Sequence, residues 1–397
     1  MTALRHVSIA LCLLALLSAA GCEKKPVAFR LDNGLRVDLL PAAHGDRAAL
    51  VVLFDVGADD DPPGRSGMTH VIEHLLSTST RPGRTLAPTV ATQAGADYTM
   101  YASEVGGGRI TEEIDDVALR LSGQPVTEAE LTRVRKMVVD EIARAHERDA
   151  AATAMTRAAE ALRPSRGAGM RGGVAADIGA ITPTEVDGFH RDHYGAAAAR
   201  LIVTGRFNVA DVEARVRAAL GPLPAGKPPD VRAPAGARVT GALTTGDAPK
   251  ATALAMAAPD VKDPLYPAFL VLAARLAAAG EGDGARSWKV DYAPLARPDV
   301  LFVTSPVPAG LPQQAEPAAE RMRTEVAAIV GAPLAPDEPA RALARFGAQL
   351  GISAAVGPRD TAFAAGRLLQ LGLDAKALER GVNAVTQQQL AAAARLF

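Results

Sequence analysis

The stretch His70-Val71-Ile72-Glu73-His74 decides how this chain is read. Its histidines are four residues apart, about one helical turn, so on a helix both imidazoles leave the same face. Two imidazoles so placed can grip one zinc ion. Glu73 lies one residue round the helix from His74, where it can face a metal-activated water rather than the metal. It could then accept that water's proton during attack on a peptide carbonyl. The order of residues is the reverse of the H-E-x-x-H helix. A catalytic zinc needs a third protein ligand and an open position. Glu141, in Val138-Val139-Asp140-Glu141-Ile142, is the candidate, and its apolar flanks predict a turn facing the core. A carboxylate there needs a partner, which a metal supplies. Among seven histidines such a motif arises by chance on the order of once in a hundred chains. The alternative is an amphipathic surface helix with two satisfied histidines and a solvated Glu73.

Working outward, Phe29 to Leu40 reads as two strands joined at the hairpin signal Asn33-Gly34. Ala48 to Val56 reads as a buried strand. Asp59 to Gly67 is a polar loop, and its Asp59, Asp60 and Asp61 read as solvated acids rather than as a calcium site. Ala96 to Val105 alternates like a strand and ends at Gly106-Gly107-Gly108. Thr127-Glu128-Ala129-Glu130 is a capping box opening a helix that runs to about Arg148. Leu201 to Thr204 reads as a strand and Ala210 to Leu220 as a helix. Five prolines between Gly221 and Ala237 mark a linker. Ala251 to Ala257 and Val300 to Val307 read as further strands among alanine-rich helical stretches. Strands and helices in mixed order make the class α+β.

With 397 residues, of which 48 % are apolar, the chain exceeds one ordinary core and calls for two domains. A net charge of −1, no basic block and 4 % aromatics argue against a nucleic-acid partner. Cys12 and Cys22 both lie at the start, so the body has no thiolate for a metal site, and zinc must rely on His and carboxylate. Residues 1–22 read as a lipoprotein-type signal peptide: Arg5, an apolar run from Val7 to Ala20, then Gly21-Cys22. Leu17 to Cys22 resembles a lipobox with Ala19 in place of the usual Leu, which makes Cys22 the lipidation site. An ordinary signal peptide with Cys22 incidental is the alternative. No other stretch could span a bilayer, so the expected location is exported and lipid-anchored, facing the periplasm or cell exterior.

From Leu31-Asp32-Asn33-Gly34-Leu35-Arg36-Val37, through Asp55-Val56-Gly57 and Asp61 to Gly67, into His70–His74, the order of motifs resembles the pitrilysin/insulinase metallopeptidases. This is the inverted-zincin family that includes the mitochondrial processing peptidase. Asp97 to Tyr101, Arg135 to Ile142, Phe189 to Tyr194 and Leu201 to Phe207 continue the match, which covers roughly residues 27 to 225. The resemblance implies two similar mixed domains, each a mostly antiparallel sheet with helices packed on one face: a zinc-binding peptidase domain over 27–225 and a second family-like domain over 240–397. It implies one zinc per chain on His70, His74 and Glu141, with Glu73 as base, and cleavage of peptides or unfolded segments. Should Glu141 fail as a ligand, Glu147 and His146 are next. Ser77 to Ala87 replaces a longer family segment, Val134 stands where a second acidic residue is common, and Ala91 stands for a common Asn. The family holds substrate with an Arg and a Tyr from the other half; the candidates are Arg286 and Tyr292. As one half of a closed chamber, the chain is expected to pair with a second copy or a co-encoded subunit. A catalytically weak or inactive member serving as a partner subunit is the alternative. His190 and His193 read as local packing and Trp288 as core.

Overall fold

The computed structural model describes residues 25–78, 91–123, 125–162, 172–229, 240–242, 251–282, 288–295, 300–307, 314–353 and 357–396. The chain divides into two compact units, and these do not follow the contiguous spans 27–225 and 240–397. The first takes Met1–Val139, Gly172–Val231 and Ala354–Ala375; the second takes Asp140–Arg171, Arg232–Ser353 and Lys376–Phe397.

In the first unit, β1 (Val27–Arg30) and β2 (Arg36–Pro41) form the expected antiparallel hairpin. Its turn needs Gly34, which takes a φ of +92°, a conformation that costs glycine little. Asn33 does more than turn the chain. Its Nδ2 donates to the carbonyls of Leu220 at 2.7 Å and Leu223 at 3.1 Å, and its Oδ1 accepts from the Leu35 amide at 3.2 Å. Strand β3 (Arg47–Phe54) is buried at every residue after Arg47. Helix α1 (Met68–Thr78) follows, then β4 (Ala91–Ala94) and β5 (Thr99–Gly106). The strand expected over Ala96 to Val105 is β5, which begins at Thr99; the residues just before it form a turn from β4, closed by Gly95 N–H donating to the Tyr98 carbonyl at 2.8 Å. Helix α2 (Ile110–Ser122) precedes α3 (Glu128–Arg148). The capping box of α3 forms as expected: Thr127 Oγ1 accepts from the Glu130 amide, and Glu130 accepts from the Thr127 amide. Helix α4 (Ala150–Leu162) belongs to the second unit. The chain returns with α5 (Pro183–His193), β6 (Ala199–Gly205) and α6 (Val209–Leu220).

The six strands order as β1-β2-β6-β3-β5-β4. Only the pair β2 with β6 is parallel. Helix α2 lies on the face of β3 and β5 that carries Tyr101, with the Arg120 guanidinium 5.8 Å from the Tyr101 ring centre. The mostly antiparallel sheet matches expectation, with one addition: its other face is covered too.

The second unit has a four-stranded antiparallel sheet. Its strands are β7 (Thr240–Ala242), β8 (Ala251–Ala257), β9 (Lys289–Asp291) and β10 (Val300–Pro306), ordered β7-β8-β10-β9. One face, with Ala251, Ala253, Ala255 and Phe302, packs on Ala154, Met155, Ala158 and Leu162 of α4. Helix α7 (Tyr266–Gly282) is buried almost all round and is the unit's central helix. On it, Arg275 pairs with Glu338 at 2.6 Å and donates to the carbonyls of Ile329 and Ala332. Those carbonyls lie at the end of α8 (Ala315–Val330), and Glu338 opens α9 (Glu338–Phe346). Helix α10 (Pro358–Leu371) then belongs to the first unit, where Ala362 and Phe363 pack on Val51, Leu53, Met100 and Ile202. It is the cover of the first sheet's second face.

Truncating Asn33 to Ala removes its bonds to the carbonyls of Leu220 and Leu223 and to the Leu35 amide, and the Leu220 carbonyl keeps only the Leu223 amide at 3.3 Å. Asn33→Ala is expected to lose about 1–3 kcal/mol, read as a lower urea midpoint in circular dichroism; an unchanged midpoint would show that these bonds exchange for water without cost.

Candidate metal centre

Helix α1, which carries both histidines, is clamped at its first turn. Asp61 accepts from the Gly67 amide at 2.6 Å and from both the amide and hydroxyl of Thr69 at 2.9 Å. This places a carboxylate against a helix N-terminus, where amide dipoles favour an anion. Gly67 takes a φ of +100°, and a Cβ there would meet the Gly172 carbonyl and the Ile178 side chain. Two further contacts hold the entry loop: the Ser66 amide to Asp177 at 3.1 Å and Arg65 to Glu185 at 2.9 Å. Asp60 accepts from the Gly57 amide at 2.8 Å. Two of the three acids read as solvated are thus caps. The signal in the sequence is an acid before a helix start, and it is faint because six residues separate Asp61 from Gly67.

From that turn, His70 and His74 project half-buried, with their Nε2 atoms 3.2 Å apart. Two nitrogens on one tetrahedral zinc, at roughly 2.05 Å each, stand about 3.3 Å apart, so the spacing fits the ion. His70 Nδ1 lies 3.0 Å from the Gly172 carbonyl. A carbonyl can only accept, so Nδ1 carries the hydrogen and leaves the Nε2 lone pair for a metal. One nitrogen of each histidine and one oxygen of Glu141 lie within 4.8 Å of one another. The core-facing turn expected at Glu141 is corrected. The buried stripe of α3, Leu131, Val134 and Val138, stops one turn short, and Glu141 is exposed. Its carboxylate needs no metal to offset burial; what recommends it is its place beside the imidazoles.

Glu73 is 6 % exposed, with Oε2 3.8 Å from His74 Nε2. Close by, burial, followed by Tyr194 and Glu73, holds the Tyr101 hydroxyl well above its ordinary range, so it stays neutral. Burial raises Tyr194 likewise, while the Thr99 hydroxyl bonds to it at 3.1 Å.

Val134, where an acid is common in the resembled family, is a core side chain. The substrate-holding role expected for Tyr292 is withdrawn. It is 9 % exposed, its hydroxyl donates to Tyr266 at 3.2 Å, and its ring packs edge-on against Phe269 and Phe346. Arg286, Cys22 with the signal segment, and most of the shortened Ser77 to Ala87 stretch lie outside the described residues, as do the side chains of His146 and Glu147. His190 stacks on Tyr194 and meets the Arg120 carbonyl at 3.1 Å, which is the packing role expected of it. Trp288 is core, donating to Glu325 at 2.9 Å.

Residues 180–283 match the family model described as peptidase M16 inactive domain. The resemblance to the pitrilysin/insulinase peptidases stands. An uncharacterized zinc protease of Streptomyces coelicolor is 27 % identical over an alignment of 206 residues that covers 48 % of this chain and 43 % of that relative. The match thus spans less than half the relative's length. A protease from Helicobacter pylori superposes with a TM-score of 0.75 at 18 % identity, over 94 % of this chain and 96 % of its own. The periplasmic protease PqqL of Escherichia coli gives 0.68 at 18 %, over 95 % of this chain and 47 % of its own. The peptidase M16 inactive domain from Pseudomonas fluorescens gives 0.72 at 15 %, over 93 % and 94 %. At these identities the structures speak for a shared M16-type fold of paired α+β units.

Burial pushes the Asp61 carboxyl up to about 6, against the hydrogen bonds from Thr69 and Gly67 that lower it. A raised carboxyl contributes stability below its ordinary value and loses it as pH rises through the folded value. The stability of wild type relative to Asp61→Asn should therefore fall between about pH 4 and about pH 7, measured as paired urea midpoints. A difference constant across that range would contradict the raised value.

Proposed function

We propose that the chain is an exported zinc-dependent endopeptidase, with one zinc on His70, His74 and Glu141 and with Glu73 as general base. The observation that carries this is the 3.2 Å approach of the two Nε2 atoms, with a Glu141 oxygen in the same cluster. The family resemblance and the zinc-protease relative support it. Zinc bound there would supply Lewis acidity, polarising a peptide carbonyl and acidifying water.

The protein's own residues would do the rest. Gly172 fixes the His70 tautomer through Nδ1. The clamp at Gly67 and Thr69 keeps both imidazoles on one face of α1. Glu73, beside His74 and nearly dry, takes a proton from the attacking water and returns it to the leaving amine. Tyr101 and Tyr194, held neutral, keep further negative charge away from it. Substrates are peptides or unfolded segments. Since PqqL is matched over 47 % of its length, we place this chain as one half of a pair, formed with a second copy or a co-encoded subunit. Cys22 is the proposed lipid anchor and the periplasmic or outer face the proposed location; among the described residues no helix is long and apolar enough to cross a membrane.

One observation favours the second reading, an inactive partner subunit: the matched family model is an inactive domain. It covers residues 180–283, however, and none of His70, Glu73, His74 or Glu141 falls there.

Two measurements test the enzyme reading. Purified protein should hold about one zinc per chain by native mass spectrometry. Glu73→Gln should keep that zinc while peptide cleavage falls at least 100-fold, since an amide cannot take the proton. Glu141→Gln should weaken zinc binding itself. A wild type that takes up no zinc from a zinc-supplemented buffer would sink this reading, and wild-type zinc affinity in Glu141→Gln would remove the third ligand.

A further inference from the structure

The clamp on α1 is itself held from outside, by a buried ion pair that the reaction does not touch. Arg367 of α10 is 1 % exposed and Asp97 is 4 % exposed. Arg367 Nη2 donates to Asp97 Oδ1 at 3.0 Å and to Oδ2 at 2.8 Å, and the guanidinium lies 4.5 Å over the Tyr98 ring. One turn on, Gln370 donates to Asp55, which also takes Arg36 at 2.7 Å. Asp97 sits in the tight turn between β4 and β5. The carbonyls of that turn are not idle: Gly95 accepts from the Ala58 amide at 2.9 Å and Ala96 from the Asp59 amide at 2.9 Å. Contact is so close at Gly57 that a Cβ there would meet the Ala96 carbonyl and the Asp97 amide nitrogen at 2.6 Å. The Gly57 loop continues through Asp60 to Asp61, and Asp61 holds Gly67 and Thr69.

An unbroken series of short polar contacts therefore runs from Arg367, through Asp97 and the 95–97 backbone, to the 57–61 loop and the first turn of the metal helix. Each link is directional, and the ionic link is dry. A buried ion pair of this kind is weak evidence for stability, but it fixes geometry strictly, because moving either partner strands a charge. We propose that Arg367 and Asp97 are positioning residues for the metal helix, setting the attitude of His70 and His74 through the Gly57–Asp61 loop. The inference rests on the metal reading for its consequence, but the mechanical coupling stands apart from it.

The test is hydrogen exchange at the Gly67 and Thr69 amides together with zinc affinity by chelator competition. Four full-length proteins are compared: wild type, Arg367→Met, Gly57→Ala and Glu338→Gln. The last breaks another buried ion pair, Arg275–Glu338, and serves as a control of similar structural severity. In Arg367→Met the two amides should exchange at least tenfold faster and zinc should bind roughly tenfold or more weakly, the range seen when outer supports of metal ligands are lost. Glu338→Gln should lose thermal stability and leave both readouts unchanged. Should Arg367→Met not fold, Gly57→Ala decides the matter, since it disturbs the same path at a loop. A folded Arg367→Met, or in its place Gly57→Ala, with wild-type exchange and wild-type zinc affinity overturns the proposal. So does an equal effect in Glu338→Gln. If wild type binds no zinc, the metal reading falls, and the exchange of the two amides alone decides the positioning claim.

Discussion

Three hydrogen bonds to one carboxylate, Asp61, hold the first turn of an eleven-residue helix. A helix that short is marginal by itself in water, yet it holds two imidazoles with their Nε2 atoms 3.2 Å apart. Burying Met68, Val71, Ile72 and Leu76 ties down one side of it. Burial alone leaves the helix free to slide or to tilt about its apolar stripe. The Asp61 contacts are directional and remove that freedom at the end nearest His70, and the Gly172 carbonyl then sets the ring. Glycine at positions 67 and 173 follows from the same constraint, since a side chain at either would push the loops apart.

The first sheet is completed by a helix that arrives late in the chain. Helix α10 joins β3 and β6 more than 150 residues after β6, as the Thr204 hydroxyl bonding to the Pro358 carbonyl shows, 154 residues apart. In the opposite direction, α4 leaves the early part of the chain to cover the second sheet. Such long connections make many contacts non-local, which slows folding. It also means that strand β3, apolar on both sides, is protected only once the late segment has docked. The continuous run Ala48 to Phe54 is a record of that double cover.

Much of the candidate site is legible in the sequence. The spacing of His70, Glu73 and His74 carries its own geometry, because a helix converts four residues into one turn, and the capping box at Thr127 located the start of the helix bearing Glu141. Asn33-Gly34 was legible as a turn but not as the bolt on Leu220 and Leu223, since nothing local states what a turn amide will touch 187 residues away. The burial of Tyr292 is not legible, for the complementary reason. A tyrosine offers the same hydroxyl to a substrate and to a core neighbour, and only packing shows that Tyr266 receives it. Glu141 was chosen on apolar neighbours that turned out to lie where the buried stripe ends; its place beside the histidines depends on where α3 passes α1, which no pattern of residues records.

By itself, then, the sequence determined the periodic features: helix and strand locations, the α+β class, and the inverted H-x-x-E-H face, all of which follow from backbone repeats of 3.6 and two residues. The tertiary structure decided what distant segments do to one another. It set which acids are caps rather than solvated, which charges are buried together as in Asp97 and Arg367, and which helix covers which sheet. Those outcomes depend on contacts between residues hundreds of positions apart, such as the 270 that separate Asp97 from Arg367, and a contact of that kind leaves no period in the chain for a reader to find.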